Sequence, residues 1–210
     1  MSRFGPDPLA FFDAVYRETP PWDVGGPQPA MSALLAGHPP AGPVLDVGCG
    51  SGDLAISLAR GGLQVLGIDF VDTAVEQARE KAGALPPGVA RLAEFQVADA
   101  LRPSLLRRRF GSVVDSGFFH LFDPGTCDRF VDDLASALLP GGRYYLLAFA
   151  TEFAIPNSPR RVSEEELRAR FASERGWRIL ELRPAEFQSR VAAPVPAVGA
   201  CIERLPAGRA

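Results

Sequence analysis

Apolar residues along this chain follow two rhythms: short continuous runs, and stretches where they recur every three or four positions. The run Val44-Leu45-Asp46-Val47 predicts a strand, and Leu54 to Arg60 has the spacing of a helix. Val65 to Ile68 predicts a second strand. The helix after it spans about Thr73 to Ala82, with Thr73 and Glu76 placed as in a capping box. Phe95-Gln96-Val97 and Ser112 to Asp115 predict a third and a fourth strand. A helix near Cys127 to Leu139 follows, ended by Pro140-Gly141-Gly142. Tyr144 to Phe149, apolar throughout, predicts an interior fifth strand covered on both faces. Ser163 and Glu166 begin another capping box for a helix to about Ala172, and Arg178 to Leu182 and Val198 to Glu203 complete the pattern. Pro194 and Pro196 do not suit a central strand, which places the last strand after them. Strands alternating with helices predict an α/β fold: a doubly wound, mostly parallel sheet with helices on both faces and an antiparallel last strand.

The first forty residues break this rhythm. Leu9, Phe12, Ala14, Val15 and Tyr16 predict one face of a short helix beginning near Asp7. The stretch Thr19 to Pro27 is too rich in Pro and Gly to continue it, and a second helix is expected from Pro29 to Ala36. Residues 1–40 thus read as an N-terminal helical cap and 41–210 as the main domain.

Composition narrows the function. With 47% apolar residues the chain can bury a sizeable core, and its net charge of −3 argues against a nucleic-acid partner. The basic run Arg107-Arg108-Arg109 reads as a solvated edge before a strand. Cys49, Cys127 and Cys201 lie far apart, and the histidines are His38 and His120, so no metal site is expected. Sparse, odd-numbered cysteines fit a reducing compartment. Neither a signal-peptide pattern nor an apolar run of about 20 residues is visible. We expect a cytoplasmic protein with no membrane partner; no pattern fixes an oligomeric state.

Candidate chemistry begins at Asp46-Val47-Gly48-Cys49-Gly50-Ser51-Gly52-Asp53, between the first strand and its helix. In such folds ligands bind at the carboxyl ends of strands, beside the switch in strand order. Alternating glycines let the backbone turn sharply and let a ligand approach where a Cβ would collide. A dinucleotide loop reads G-x-G-x-x-G. Counted from Gly48, its third glycine falls on Asp53, whose carboxylate would repel a pyrophosphate at the helix N-terminus. The loop therefore favours a cofactor without phosphate. S-adenosylmethionine fits, with its sulfonium, ammonium and single carboxylate, and Asp46 can attract the ammonium directly or through water. Asp69, ending the second strand, can accept both ribose hydroxyls, with Phe70 flanking the adenine. In Ala98-Asp99-Ala100, Asp99 can accept from the adenine amino group and Ala100 lines the site.

This ordered set resembles the class I S-adenosylmethionine-dependent methyltransferases. Val44 to Gly52 looks like their first motif, and Gly67-Ile68-Asp69-Phe70, Ala98-Asp99-Ala100 and Leu139-Pro140-Gly141-Gly142-Arg143 resemble later landmarks in the same order. The resemblance implies a Rossmann-like methyltransferase fold and S-adenosylhomocysteine as product. It also implies cofactor contacts at Asp46, Gly48, Cys49, Gly50, Asp69, Phe70, Asp99 and Ala100, and at Asp115 and Ser116 on the fourth strand. Pro21-Trp22-Asp23-Val24-Gly25-Gly26-Pro27-Gln28-Pro29 resembles a narrower group, which includes thiol, halide and thiopurine methyltransferases and bacterial enzymes acting on quinones or N-heteroaromatics. There the Trp-bearing segment lies over the cofactor, so Trp22 is expected as a cofactor or lid contact.

The stretch Asp115 to Phe122 resembles the bacterial members, in which an aromatic-His pair follows this strand and lines the acceptor pocket. Phe118, Phe119 and Phe11 are expected to wall a pocket for a flat or apolar acceptor. His120 is the best candidate base, with an unperturbed pKa near 6.5, or else a hydrogen-bonded pocket histidine. The main expectation is methyl transfer to O, N or S of a small aromatic or thiol acceptor. The alternatives are an RNA or protein methyltransferase, a non-catalytic cofactor-binding module and an NAD-dependent oxidoreductase. The first lacks an N-P-P-Y-like tetrapeptide, D-S-G-F standing in its place.

Overall fold

A computed structural model describes residues 3–206. The chain runs α1 (Pro8–Tyr16), α2 (Pro29–Gly37), β1 (Val44–Val47), α3 (Asp53–Arg60), β2 (Val65–Asp69), α4 (Asp72–Gly83), α5 (Pro87–Ala90), β3 (Ala93–Val97), β4 (Phe110–Ser116), α6 (Pro124–Ala137), β5 (Leu138–Phe149), α7 (Glu164–Arg170), β6 (Trp177–Phe187) and β7 (Val195–Arg204). The strands form one sheet in the order β3-β2-β1-β4-β5-β7-β6. All pairings from β3 to β5 are parallel, and β7 is antiparallel to both β5 and β6. The order reverses between β1 and β4, which is where ligands of doubly wound sheets bind.

Period-two alternation splits the strands between two cores. Leu45, Val47, Val113, Tyr144 and Leu146 face α6 and α7, whereas Val44, Val114, Tyr145 and Leu147 face α2, α3 and the Val75–Ala78 side of α4. Each fully buried Val, Leu or Ile contributes roughly 1.5–3 kcal/mol, so both faces hold the sheet. The second helix of the expected cap belongs to this scaffold: Met31, Leu34 and Leu35 of α2 sit in the second core. What lies over the strand tips is α1, whose Phe12 and Tyr16 pack with Phe4 on Val71 and Ala74. Its apolar face is narrower than expected, because Leu9 is exposed at 49% and Ala14 is also exposed; α1 meets α4 along one edge.

Several local expectations are corrected. Thr73 does not cap α4; its hydroxyl donates to Asp13 on α1, and Val71 occupies the cap position. Ser163 does cap α7, its Oγ accepting from the Glu166 N–H, but the Glu166 carboxylate turns to Arg160 and Arg170. β5 begins at Leu138, so Pro140-Gly141-Gly142 lies within the start of a strand. Pro196 sits inside β7 near its start, where its carbonyl accepts from the Ala150 N–H. Among the described residues no helix is long and apolar enough to cross a membrane.

The start of β4 runs against the 41–43 segment, with Gly111 N–H donating to the Pro43 carbonyl at 2.9 Å. A Cβ on Gly111 would lie 2.7 Å from the Ala41 oxygen and 2.9 Å from that of Gly42, both backbone atoms that cannot rotate aside. Gly111→Ala is expected to lower stability by about 1–3 kcal/mol, read as a lower urea midpoint with an unchanged slope.

Candidate active site

The loop from β1 to α3 bends through Gly48, Gly50 and Gly52, all with positive φ. Two of these glycines are also required by what lies over them. A Cβ on Gly48 would meet the Phe118 ring at 2.7 Å, and one on Gly50 would meet the Tyr16 hydroxyl at 2.6 Å. The loop is thus pressed between the segment after β4 and the N-terminal helix. Asp53 opens α3, its carboxylate held by the Lys81 ammonium at 3.0 Å. The positive end of that helix already faces its own anion, as the argument against a pyrophosphate requires.

Three carboxylates stand at the strand tips, in three different environments. Asp69 accepts from the Gly50 N–H through Oδ2 and from the Val71 N–H through Oδ1, both at 3.0 Å; burial raises its pKa against these bonds. Asp46 is buried, and its Oδ2 has no hydrogen-bond partner among the described residues. Burial, followed by the charges of Asp115 and Asp69, pushes its pKa well above the usual carboxylate range. The other buried side-chain oxygen in that condition, Tyr145 Oη, lines no part of the cleft.

Asp115 is a correction. It is fully buried, with Oδ1 accepting from Phe118 N–H at 2.8 Å and Oδ2 from Phe119 N–H at 3.1 Å and from the Tyr144 hydroxyl at 2.6 Å. Burial raises its pKa to about 7. Turned away from the cleft, it clamps the turn that carries Phe118 to His120. The next residue, Ser116, does line the cleft.

One continuous cleft runs over these tips. A pocket of about 530 Å³ is lined by Asp46, Gly48, Cys49, Gly50, Ser51 and Gln28. It adjoins an aromatic cavity of about 810 Å³ including its mouth, and Tyr16, Trp22, Gly48, Ser116 and Phe187 border both. A third lobe is lined by Phe70, Asp99, Ala100 and Leu101. Phe70 and Trp22 sit at the rim, both more than a third exposed. Asp99 accepts from the Leu101 N–H at 3.0 Å and is exposed at the edge of its lobe.

The aromatic cavity gathers Phe4, Phe11, Phe118, Phe149 and Phe187 around His120. Phe119, expected as a wall, does not reach it: the ring is fully buried against Phe130 and under the Arg160 guanidinium. Phe11 and Phe118 do line it. His120 is buried, its ring stacked on Phe149 at 4.3 Å, and its Nδ1 accepts from the Phe149 N–H at 3.0 Å. That bond puts the ring proton on Nε2, so the ring presents a donor with no lone pair free to take a proton. Burial, then the nearby Arg160 charge, lowers its pKa to about 3. The geometry does not suit a general base.

Sequence reading missed Tyr16, Gln28, Phe149 and Phe187. Gln28 was legible only as part of the Trp22 segment. Its Nε2 donates to the carbonyls of Trp22 and Gln188, and its Oε1 accepts from the Gln188 N–H at 2.7 Å. Phe149 and Phe187 arrive at the ends of β5 and β6, where no local pattern separates a cavity wall from core.

A family model described as a methyltransferase domain matches residues 44–142. A 2-heptyl-1-hydroxyquinolin-4(1H)-one methyltransferase of Mycobacteroides abscessus is 33% identical over 170 residues, covering 80% of this chain and 73% of that protein. The chain belongs to the S-adenosylmethionine-dependent methyltransferases. A probable thiol methyltransferase of Arabidopsis thaliana is 32% identical over 70% of this chain and 64% of its own. A solved structure concerned with conversion of a disulfide bond into a thioacetal group during echinomycin biosynthesis superposes with a TM-score of 0.80. It shares 33% identity, covering 94% of this chain and 93% of that one.

The environments of the three strand-tip acids set opposite expectations for S-adenosylmethionine binding. A hydrogen bond to a charged group contributes about 1.5–3 kcal/mol. Asp69→Asn should therefore weaken cofactor binding roughly ten- to a hundredfold, read by calorimetry. Asp115→Asn should leave that affinity within about twofold while lowering the melting temperature.

Proposed function

We propose that this methyltransferase acts in the cytoplasm on oxygen, sulfur or nitrogen of a small, flat, largely apolar acceptor. One observation carries the reading: the acidic strand-tip end of the cleft opens directly into a cavity walled by aromatic rings. Asp69, on the side nearer the glycine loop, is the one carboxylate lining that cavity among the described residues. Relatives named for a hydroxyquinolinone and for thiols fit a pocket of this kind. The three cysteines are free and buried, which supports a reducing compartment. Phe4, and Phe11 from α1, roof the cavity, which favours a small molecule over a macromolecular strand.

The residues present fit S-adenosylmethionine. The unpartnered Asp46 oxygen suits the ammonium. Asp69 would take the ribose hydroxyls, Gly48, Cys49 and Gly50 would lie along the cofactor, and Ser116 would border it from β4. Phe70 and Ala100 would flank the adenine, with Asp99 at its amino group, while Trp22 and Tyr16 would close over the top. When bound, the cofactor supplies a methyl carbon on a positively charged sulfur that departs as a neutral thioether.

The chain supplies alignment and a dry site. Effective molarities of about 10⁵–10⁸ M for well-oriented reactants correspond to roughly 7–11 kcal/mol of barrier, so placement alone accounts for a large acceleration. Phe11, Phe118, Phe149 and Phe187 would hold a flat acceptor, and the His120 Nε2–H would orient its polar atom.

Calorimetry should show binding of S-adenosylmethionine and none of NAD. A screen of thiols, quinols and N-hydroxy heteroaromatics, followed by S-adenosylhomocysteine release, should then find turnover. NAD binding without S-adenosylmethionine binding would overturn the proposal. His120→Ala should slow turnover by less than a hundredfold, since it removes an orienting donor and not the source of the methyl group.

A further inference from the structure

Methyl transfer to an O–H or S–H releases a proton, and the acceptor end of this cavity has no group placed to receive it. His120 spends its Nδ1 lone pair on the Phe149 N–H and presents Nε2–H. Of the other titratable groups lining the cavity, Asp69 has both oxygens on the backbone N–H groups of Gly50 and Val71, and the Tyr16 hydroxyl lies over Gly50. The groups packed behind His120 are turned elsewhere. Asp115 on β4 is closed off by Tyr144 and backbone N–H groups. Arg160 pairs with Glu166, and Cys127 on α6 is buried beside that guanidinium. Asp46 opens only toward the glycine-loop pocket.

A largely aromatic enclosure, whose one carboxylate, Asp69, is held by backbone N–H groups and whose other polar side chains include His120 and Asn157, is a poor place for a neutral alcohol to lose a proton. It becomes a good place for an anion once a positive charge stands at its inner end, because a low dielectric strengthens that attraction. Resting on the methyl-transfer reading above, we infer that the acceptor is taken up already ionised, held by the His120 Nε2–H and by the cofactor's positive charge. The chain thereby selects acceptors whose O–H or S–H is acidic enough to ionise in water. The acceptor's proton leaves to solvent before binding. Its oxygen or sulfur then uses a lone pair to form the new bond to the methyl carbon, as the carbon–sulfur bond breaks with its electron pair passing to sulfur. An anion and a cation become two neutral molecules. Aliphatic alcohols, which stay protonated, are excluded by this logic and not by size.

The test uses the full chain and 4-nitrophenol, whose anion is coloured. The protein is saturated either with sinefungin, in which a carbon bearing an amine replaces the methyl-bearing sulfonium, or with S-adenosylhomocysteine, which lacks that positive charge. With sinefungin, the bound nitrophenol should ionise at least about one pH unit lower than in free solution, and the anion should bind at least about tenfold more tightly than with S-adenosylhomocysteine. His120→Phe, which keeps a ring against Phe149 but removes the donor, should lose at least about fivefold of that anion affinity. Across ring-substituted thiophenols, the acid limb of kcat/KM should move with each acceptor's own pKa. Binding of nitrophenol as the neutral acid, equal affinity in the two complexes, no binding in either, or an acid limb fixed whatever the acceptor would each overturn the inference. Titration of the cofactors alone reads the underlying activity separately, so the two can fail independently.

Discussion

Asp46, Asp69 and Asp115 end three neighbouring parallel strands, and all three are buried. Carboxylates gathered this closely out of water resist ionisation unless each finds compensation. Asp115 finds it in the Tyr144 hydroxyl and two backbone N–H groups, and Asp69 in the N–H groups of Gly50 and Val71. Asp46 keeps an oxygen with no partner. The site therefore carries a local shortage of positive charge, which a cationic nucleoside makes good and an anionic dinucleotide would worsen. The glycines, the aromatic cover and the donor at His120 are arranged around that imbalance.

The cover matters because it governs how strongly the imbalance is felt. Phe12, Tyr16 and Trp22 form a chain of edge-on ring contacts above the glycine loop, and Phe12 also meets Phe70 at 5.9 Å. These rings displace water from over the strand tips. Attraction between the acids and a bound cation is then less screened than at an open surface. The glycine loop can lie beneath this cover because Gly48 and Gly50 lack the side chains that would strike Phe118 and Tyr16.

The sheet was legible because its strands are continuous apolar runs punctuated by Gly and Pro, a signal that survives without tertiary context. The placement of Asp46 and Asp69 on the cleft was legible for a related reason: a lone carboxylate near the end of an apolar strand stands out. Asp115 occupies the same kind of position and misled for that reason, since the tyrosine that claims it lies 29 residues later on β5. Phe119 misled because successive residues of a tight turn face different ways, and sequence does not say which ring faces in. Which His120 nitrogen is engaged depended on a backbone N–H at Phe149, also 29 residues away, which no local pattern encodes. Residues whose placement is set by their own element were readable; those placed by a distant partner were not.

Gln28 bonds the Trp22 carbonyl on one side and both backbone groups of Gln188 on the other, across 160 residues of chain. The Arg190 N–H adds a further tie to the Pro21 carbonyl. That anchor is synthesised well after the segment it holds. β1, its glycine loop and the strands beside it are thus made before the Trp22 end of the roof can be tied, although α1 can already pack on α4. The Trp22 side of the cleft is therefore completed only once the segment that follows β6 is in place.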